Sequence, residues 1–146
     1  MLTDLEQLGR AIKVTQARHH RALDTGLRTI GSTLAQWDAL RAVSNLPGAS
    51  AHDLALATFQ SDQSFGTLAN RLENQGLIER RPGRGRRIEH HLTPSGEAIL
   101  RAGQDIATKR LVESFAELTE PERAQLLGLL ARVGAGLDEP DPLRPG

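Results

Sequence analysis

Residues 61–93, SDQSFGTLANRLENQGLIERRPGRGRRIEHHLT, decide the fold that we predict for this chain of 146 residues. The first half of the stretch is predicted to be a helix that begins at Ser61 or Asp62, since both residue types cap helices, and ends near Gln75. Gly76 follows, and glycine adopts without steric cost the left-handed conformation in which many helices end. Apolar residues recur at helical spacing and predict one buried face: Phe65, Leu68 and Leu72.

The opposite face of this predicted helix is polar. Successive residues of a helix are rotated by about 100° around its axis. This rotation places Gln63, Thr67, Asn70 and Asn74 on the polar face, with Ser64 and Arg71 on its flanks. A merely solvated helix would carry more Glu–Lys pairs. Amides and hydroxyls suit base edges in the DNA major groove, where Gln and Asn pair with adenine and Thr meets the thymine methyl. We predict base contacts by Gln63, Thr67 and Asn70. Ser64 is expected at a base or a phosphate, and Arg71 at a phosphate or in a pair within the protein.

Two short strands with an arginine-rich turn between them follow the helix. The strands are predicted over residues 77–81 and 87–92, and the turn over residues 82–86 contains two glycines. Arg84 and Arg86 therefore lie on a protruding loop. We predict that at least one of them enters or lines the minor groove, where narrow A/T tracts attract arginine. The other arginines of the hairpin are predicted to contact phosphates: Arg80, Arg81 and Arg87.

Charge is distributed unevenly along the chain, although the formal net charge is zero. Residues 1–70 carry six basic and six acidic side chains, whereas residues 71–93 carry six arginines against three glutamates, a net charge of +3. Residues 94–146 carry six basic and nine acidic side chains, a net charge of −3. The positive charge is thus concentrated in the segment predicted to face a nucleic acid.

Five more helices are predicted around this segment. They cover residues 2–24, 33–46, 50–58, 94–118 and 119–137. Thr25-Gly26 and Gly31-Ser32 are expected to bound a loose connection after the first helix. Capping boxes are predicted at residues 33–36, 50–53 and 119–122. These elements predict a mostly α fold (an α+β winged helix) with six helices and a two- to three-stranded wing, in a single domain over residues 1–138. The Pro-rich residues 139–146 are expected to be disordered.

Two sequence blocks carry a family resemblance. The first is RLE at residues 71–73 with GLIER at residues 76–80, and the second is LTPSG at residues 92–96. Their order and spacing, with an arginine-bearing loop between them, resemble the MarR family of bacterial transcriptional regulators. Wings of that family usually carry an Asp two residues before the tip arginine. Here that position is Arg84, so Arg86 lacks the acidic neighbour.

The resemblance implies a homodimer that represses transcription. Helices at about residues 2–24 and 94–137 would interleave with those of a second copy, and two DNA-binding lobes at about residues 33–93 would read a pseudo-palindromic operator. It also implies a small anionic or aromatic effector that binds between the dimerisation helices and the lobe. Trp37, with Arg18 or His19, is a candidate for lining such a pocket, although the core is the more usual place for a tryptophan.

Other function classes lack their sequence signals. The chain has no cysteine, which excludes disulfides and thiolate metal sites, and its adjacent histidine pairs point apart. No motif of a hydrolase, a P-loop or a dinucleotide fold is present. We therefore expect no cofactor, metal or catalysis, and a soluble cytoplasmic location because no apolar run spans a membrane. The alternative is a winged-helix module with an architectural or protein-interaction role and nonspecific DNA binding.

Overall fold

The computed structural model describes residues 3–137 as six helices and one antiparallel hairpin. The helices are α1 Asp4–Arg28, α2 Leu34–Asn45, α3 Ala51–Ala57, α4 Asp62–Asn74, α5 Pro94–Ser114 and α6 Glu120–Arg132. The strands are β1 Ile78–Pro82 and β2 Ile88–Leu92, with Ile78 opposite Leu92. The predicted six-helix winged fold is confirmed, with two strands rather than three in this part of the chain. The predicted disordered tail lies outside the described residues.

The end of α1 differs from the prediction. The expected loose connection at Thr25-Gly26 is wrong, because the helix continues to Arg28 and the turn follows it. Gly26 is buried where α1 crosses α5, and a Cβ atom there would lie 2.7 Å from a methyl group of Ile106. This glycine therefore permits close helix packing. At the other end of the chain, α5 and α6 each end about four or five residues earlier than predicted.

Two of the three predicted capping boxes are complete, those at Ser50 and at Thr119. At α2 the Thr33 hydroxyl accepts the N–H of Gln36 as predicted, but the second cap comes from α1. The Asp24 carboxylate accepts the Leu34 N–H at 2.9 Å and the Arg28 Nε at 2.9 Å. These bonds, with that of Leu34 first, lower the pKa of Asp24. Asp24 thus fixes the angle between the first two helices.

The core of the lobe lies between α2, α3, α4 and the hairpin. It buries the apolar side chains Ala39, Leu40, Ala42, Val43, Ala49, Leu54, Ala55, Phe65, Ala69, Leu72 and Ile78. Of the predicted buried face of α4, Phe65 and Leu72 are fully buried and Leu68 is partly buried against the same cluster, so the predicted face is confirmed. Because α4 is held by this face, its opposite side is turned away from the protein.

Helix α5 joins the lobe to the terminal helices through small residues. Its buried positions are Gly96, Gly103 and Ala107. A Cβ atom on Gly103 would lie 2.3 Å from Trp37 Nε1, so this glycine makes room for the indole. Trp37 is buried as expected for a core residue, and its Nε1–H donates to the Leu100 carbonyl at 3.1 Å. The indole packs in a second cluster with Leu27, Leu34 and Ala107.

Helix α6 buries no side chain in the single chain. Most of its apolar side chains are exposed, as are those at the start of α1 and the end of α5. The exposed apolar side chains of these segments and of the residue after α6 include Leu5, Leu8, Val112, Leu127, Leu129, Leu130 and Val133. No helix within residues 3–137 is long and apolar enough to cross a membrane.

Candidate nucleic-acid interface

The polar face of α4 is exposed along its length. All five of its predicted DNA-contacting residues are exposed: Gln63, Ser64, Thr67, Asn70 and Arg71. The helix begins after Ser61, whose hydroxyl accepts the Ser64 N–H at 3.1 Å. It ends before Gly76, whose φ of +73° confirms the predicted left-handed residue. Burial on one side and local caps at both ends therefore place these side chains on one accessible surface.

Two of these side chains have contacts within the protein. The Thr67 hydroxyl donates its proton to the Gln63 carbonyl at 3.1 Å, so its oxygen remains an acceptor and its methyl group remains free to contact a ligand. The Asn70 carbonyl oxygen accepts a hydrogen bond from Nη2 of Arg80 on β1. By contrast, no hydrogen bond or ion pair involves the Arg71 side chain within residues 3–137. Arg71 is therefore the free cation of this helix.

The start of α4 carries an acidic group that is paired. Asp62 lies 2.9 Å from Nδ1 of His52, near the start of α3, and both side chains are exposed. The hydrogen bond that the Asp62 carboxylate accepts from the His52 ring raises the pKa of His52. A protonated His52 would offset the negative charge of Asp62 beside the polar face, where an unpaired carboxylate would repel phosphates.

The wing consists of residues 78–92, and its two strands are joined at the tip by a tight turn. The Arg87 N–H donates to the Arg84 carbonyl at 3.2 Å, and the Gly83 N–H donates to the Arg87 carbonyl at 2.7 Å. Gly85 has a φ of +63°, as a hairpin turn with a left-handed first central residue requires. Arg84 and Arg86 are exposed, and neither side chain has a polar partner in the described part of the chain. The two predicted minor-groove arginines are therefore free at the tip.

Arg87 is anchored within the protein, in contrast to the two tip arginines. Its guanidinium donates to the Gly48 carbonyl at 3.2 and 3.3 Å and to Asp53 Oδ2 at 3.2 Å. Hydrogen bonds from Ser50, and beyond them the charge of Arg87, lower the pKa of Asp53. Arg87 thus ties the turn end of the wing to the loop before α3 and to α3 itself. This contact orients the wing in a chain that lacks the acidic neighbour of Arg86.

The two arginines of β1 are also paired. Arg81 lies 2.9 Å from Glu79, and Arg80 reaches across to α4, where its Nε lies 3.7 Å from Glu73. The side chain of Arg80 is 28% exposed. A phosphate contact by Arg80 would compete with its hydrogen bond to Asn70 and its ion pair with Glu73. The sequence pattern did not indicate these internal contacts. Strand alternation could have indicated them, because Arg80 shares the inner face with buried Ile78.

A buried histidine packs against the buried face of α4, and sequence reasoning missed this role. His90 on β2 is buried, and its ring meets Phe65 edge-on at 6.3 Å between centroids. Its Nδ1 bonds the Ala49 carbonyl at 3.0 Å, and because a carbonyl only accepts, Nδ1 carries the proton. Burial lowers the pKa of His90, which favours the neutral ring.

A polar helix face beside a hairpin with free arginines, both carried on a three-helix core, defines a winged helix-turn-helix protein. Comparison with known proteins agrees with this class. The model of the MarR family matches residues 30–88. A transcriptional regulatory protein for the hcr operon of Thauera aromatica is 34% identical over 107 residues, which cover 72% of this chain. The present chain spans 64% of the length of that relative.

Solved structures extend the likeness to nearly the whole chain. A MarR-family protein of Mycobacterium tuberculosis in complex with salicylic acid is 26% identical, covers 87% of this chain and 96% of its own, and has a TM-score of 0.72. A mutant MarR of E. coli complexed with operator DNA shares the fold, with a TM-score of 0.82 at 24% identity over 89% of this chain and 95% of its own. The chain described here belongs to the MarR family.

Proposed function

We propose that this chain is a sequence-specific DNA-binding transcriptional regulator, a ligand-responsive repressor that acts as a homodimer by binding and not by catalysis. One observation carries the proposal: the exposed face of α4 bears amides and hydroxyls, and two free arginines extend from the adjoining wing. Its relatives in Thauera aromatica and Mycobacterium tuberculosis are named as transcriptional regulators or repressors.

Helix α4 would enter the major groove. Gln63 is fully available for a bidentate contact to adenine, and the Thr67 methyl can pack against the methyl group of thymine. Ser64 is exposed near the helix start, where it can reach a base or a phosphate. Arg71 has no partner within residues 3–137, which favours a phosphate contact over an internal pair.

The wing would grip the minor groove through its tip. Arg84 and Arg86 present two guanidinium groups with no competing carboxylate in the described structure, and narrow A/T tracts attract such groups. Arg87 is less suited to direct contact because Gly48 and Asp53 already hold it. Its contribution to DNA binding would be to orient the wing.

The terminal helices would form the dimer. Exposed leucines cover α6 and the start of α1, and a face of this kind is stable in water only when another surface covers it. A second copy of the chain is the covering surface that a two-fold DNA site requires, with the two reading helices one helical turn apart.

The effector would be a small aromatic acid. The relative from Mycobacterium tuberculosis has been crystallised with salicylic acid. Here an open cleft of about 340 Å³ between α1 and α5 is lined by Arg18, Arg21, Ala22, Thr25 and Arg110. Arg18 and Arg21, which have no ion pair within residues 3–137, can pair with a carboxylate, whereas Arg110 already lies 2.9 Å from Glu113. Of the residues expected from the sequence, Arg18 lies at this cleft, whereas Trp37 is buried and His19 packs against Phe115.

The decisive experiment is an anisotropy titration of a labelled duplex from immediately upstream of the gene, at two salt concentrations, against a scrambled duplex. A specific regulator binds the native duplex at least ~10³-fold more tightly. Equal and strongly salt-dependent binding to both duplexes would instead favour an architectural protein, and the absence of binding would favour a protein-interaction module. Salicylate added to the specific complex then tests the effector: release of the duplex is expected from wild type and not from Arg18→Ala.

A further inference from the structure

Arg80 and Asn70 form a contact that joins the wing to the reading helix. Arg80 lies on β1, opposite buried His90, and its guanidinium leaves the hairpin on the side of α4. There Nη2 donates to the Asn70 carbonyl oxygen, and Nε lies 3.7 Å from Glu73, one turn further along α4. One arginine thus connects the hairpin with two residues of the reading helix.

The chemistry of the two groups fixes the orientation of the Asn70 amide. A guanidinium has five donors and no acceptor, so only the carbonyl oxygen of Asn70 can face it. The bond occupies one of the two lone pairs of that oxygen, and the positive guanidinium beside it hinders the approach of a further amino donor, whereas the NH₂ group of Asn70 has no partner within residues 3–137. The Glu73 carboxylate lies 3.7 Å from Nε of the same guanidinium, an ion-pair distance, and the largely buried side chain of Arg80 has limited freedom to move away.

This orientation bears on which base Asn70 can read. The bidentate pair of an asparagine with adenine requires the amide to donate to N7 and to accept from the N6 amino group. An amide whose oxygen is engaged by Arg80 has donors to offer. Donors fit the acceptors of guanine, N7 and O6, and the O4 of thymine, whereas the amino groups of adenine and cytosine would oppose them.

We infer that Arg80 is a positioning residue for base readout: it holds Asn70 as a donor, so that Asn70 selects guanine, or secondarily thymine, in place of adenine. The inference rests on the proposed function, because it assigns a specificity to the same DNA-binding surface. It also gives Arg80 a role distinct from that of a phosphate contact, since its guanidinium is engaged within the protein.

The test is selection of binding sites from a randomised duplex library by purified full-length variants. Asn70→Ala removes the contact, and Asn70→Asp keeps a group for Arg80 while it removes the donors. Both are expected to lose about tenfold discrimination for guanine or thymine at one position of each half-site. Both substitutions lie on an exposed helix face, so the fold tolerates them. A lost preference for adenine at that position would overturn the inference.

Arg80→Met, which keeps the aliphatic stem, is expected to release the Asn70 amide and shift the preference at that same position towards adenine. The shift should vanish in the Asn70→Ala background. Arg81→Met is the matched control, because it removes the same charge from the neighbouring residue, which pairs with Glu79 and has no hydrogen bond or ion pair to α4 within residues 3–137. It should leave the base preference unchanged.

Several readouts separate the possible failures. If Arg80 contacted a phosphate, Arg80→Met would lower the salt dependence of binding and leave every base preference intact, which would overturn the inference. If its role were only structural, the melting temperature would fall with unchanged preference, which would also overturn it. If Arg80→Met does not fold, the two Asn70 variants still decide. Failure of the wild-type protein to select any site would overturn the proposed function itself, and the inference with it.

Discussion

The lobe and helix α6 differ in where their apolar side chains lie. The lobe buries a continuous cluster between α2, α3, α4 and the hairpin, whereas α6 buries no side chain in the single chain. Both regions contain leucines, so composition does not explain the difference. The contrast indicates that the lobe is held by its own contacts, whereas no surface within residues 3–137 buries a side chain of α6.

The largest effect is expected from substitutions in the exposed apolar face of α6. Leu127 and Leu130 are 71% and 47% exposed, and replacing both by Glu would place two charges in the proposed dimer interface. We expect a monomer by light scattering at micromolar concentration. Operator affinity should fall by about 10²- to 10⁴-fold, because the two lobes would no longer bind as one unit.

Leu56→Glu is the matched control for the dimer, since Leu56 is 48% exposed but lies on α3 in the lobe. It should leave the protein dimeric. A double variant of α6 that remains a dimer would show that the leucines of α6 face water or another partner, and the proposed dimer would have to be formed elsewhere.

The second prediction concerns the packing between the lobe and α5. Gly103→Ala would place a Cβ atom 2.3 Å from Trp37 Nε1 and force the indole to move, at a cost of about 1–3 kcal/mol in the free energy of unfolding. Gly66→Ala is the control, because a Cβ atom on that helical glycine meets nothing within 4 Å. It should stabilise the protein by up to about 1 kcal/mol. Denaturation followed by the fluorescence of the single tryptophan measures both, and equal effects would contradict the close packing.

The third prediction concerns the link between α1 and the lobe. Asp24→Ala removes the hydrogen bond to the Leu34 N–H and should lower the free energy of unfolding at pH 7 by about 1 kcal/mol. Because the folded state lowers the pKa of Asp24 below 3.8, its contribution is complete above that pH and is lost as the pH falls towards the folded value. The difference between wild type and variant should therefore shrink below pH 3.8. A difference that is constant down to pH 2 would show that the carboxylate charge is not its source.

The smallest effect is expected on DNA affinity, from a substitution at the tip of the wing. Arg86→Ala should weaken binding to all duplexes by a few-fold, lower the salt dependence by about one ion per wing, and affect A/T-flanked sites most. Arg132→Ala removes the same charge from α6, outside the lobe, and should leave DNA affinity nearly unchanged. Equal losses on A/T-rich and G/C-rich flanks would remove Arg86 from the minor groove.

The two regions also differ in how well the sequence predicts them. The bounds of α4 and the hairpin follow from local signals: the Ser61 cap, Gly76 after the helix, and the glycines of the turn. The buried side of α5 could not be predicted from apolar periodicity, because its closest contacts are made by Gly96 and Gly103. Glycine at such positions looks like a flexible residue until the neighbouring helix is known.

The sequence also could not predict which residues pair with the arginines of the DNA-binding surface. Arg87 pairs with Asp53 at a separation of 34 residues, and Arg80 contacts Asn70 at a separation of 10. Such pairs depend on the packing of the hairpin against α3 and α4, which local patterns do not specify. The sequence thus identified the polar face and the tip arginines, and could not separate free arginines from paired ones.

The junction between α4 and α5 has a mechanical consequence. Thr93, which caps α5, donates its hydroxyl to the Gly76 carbonyl at 2.5 Å and its N–H to the Leu77 carbonyl at 3.1 Å. A Cβ atom on Gly96 would lie only 2.0 Å from that same Leu77 carbonyl oxygen. These contacts couple the start of α5 mechanically to the end of α4. A tilt of α5 is therefore expected to move α4 with it, and any bending is expected further along α5.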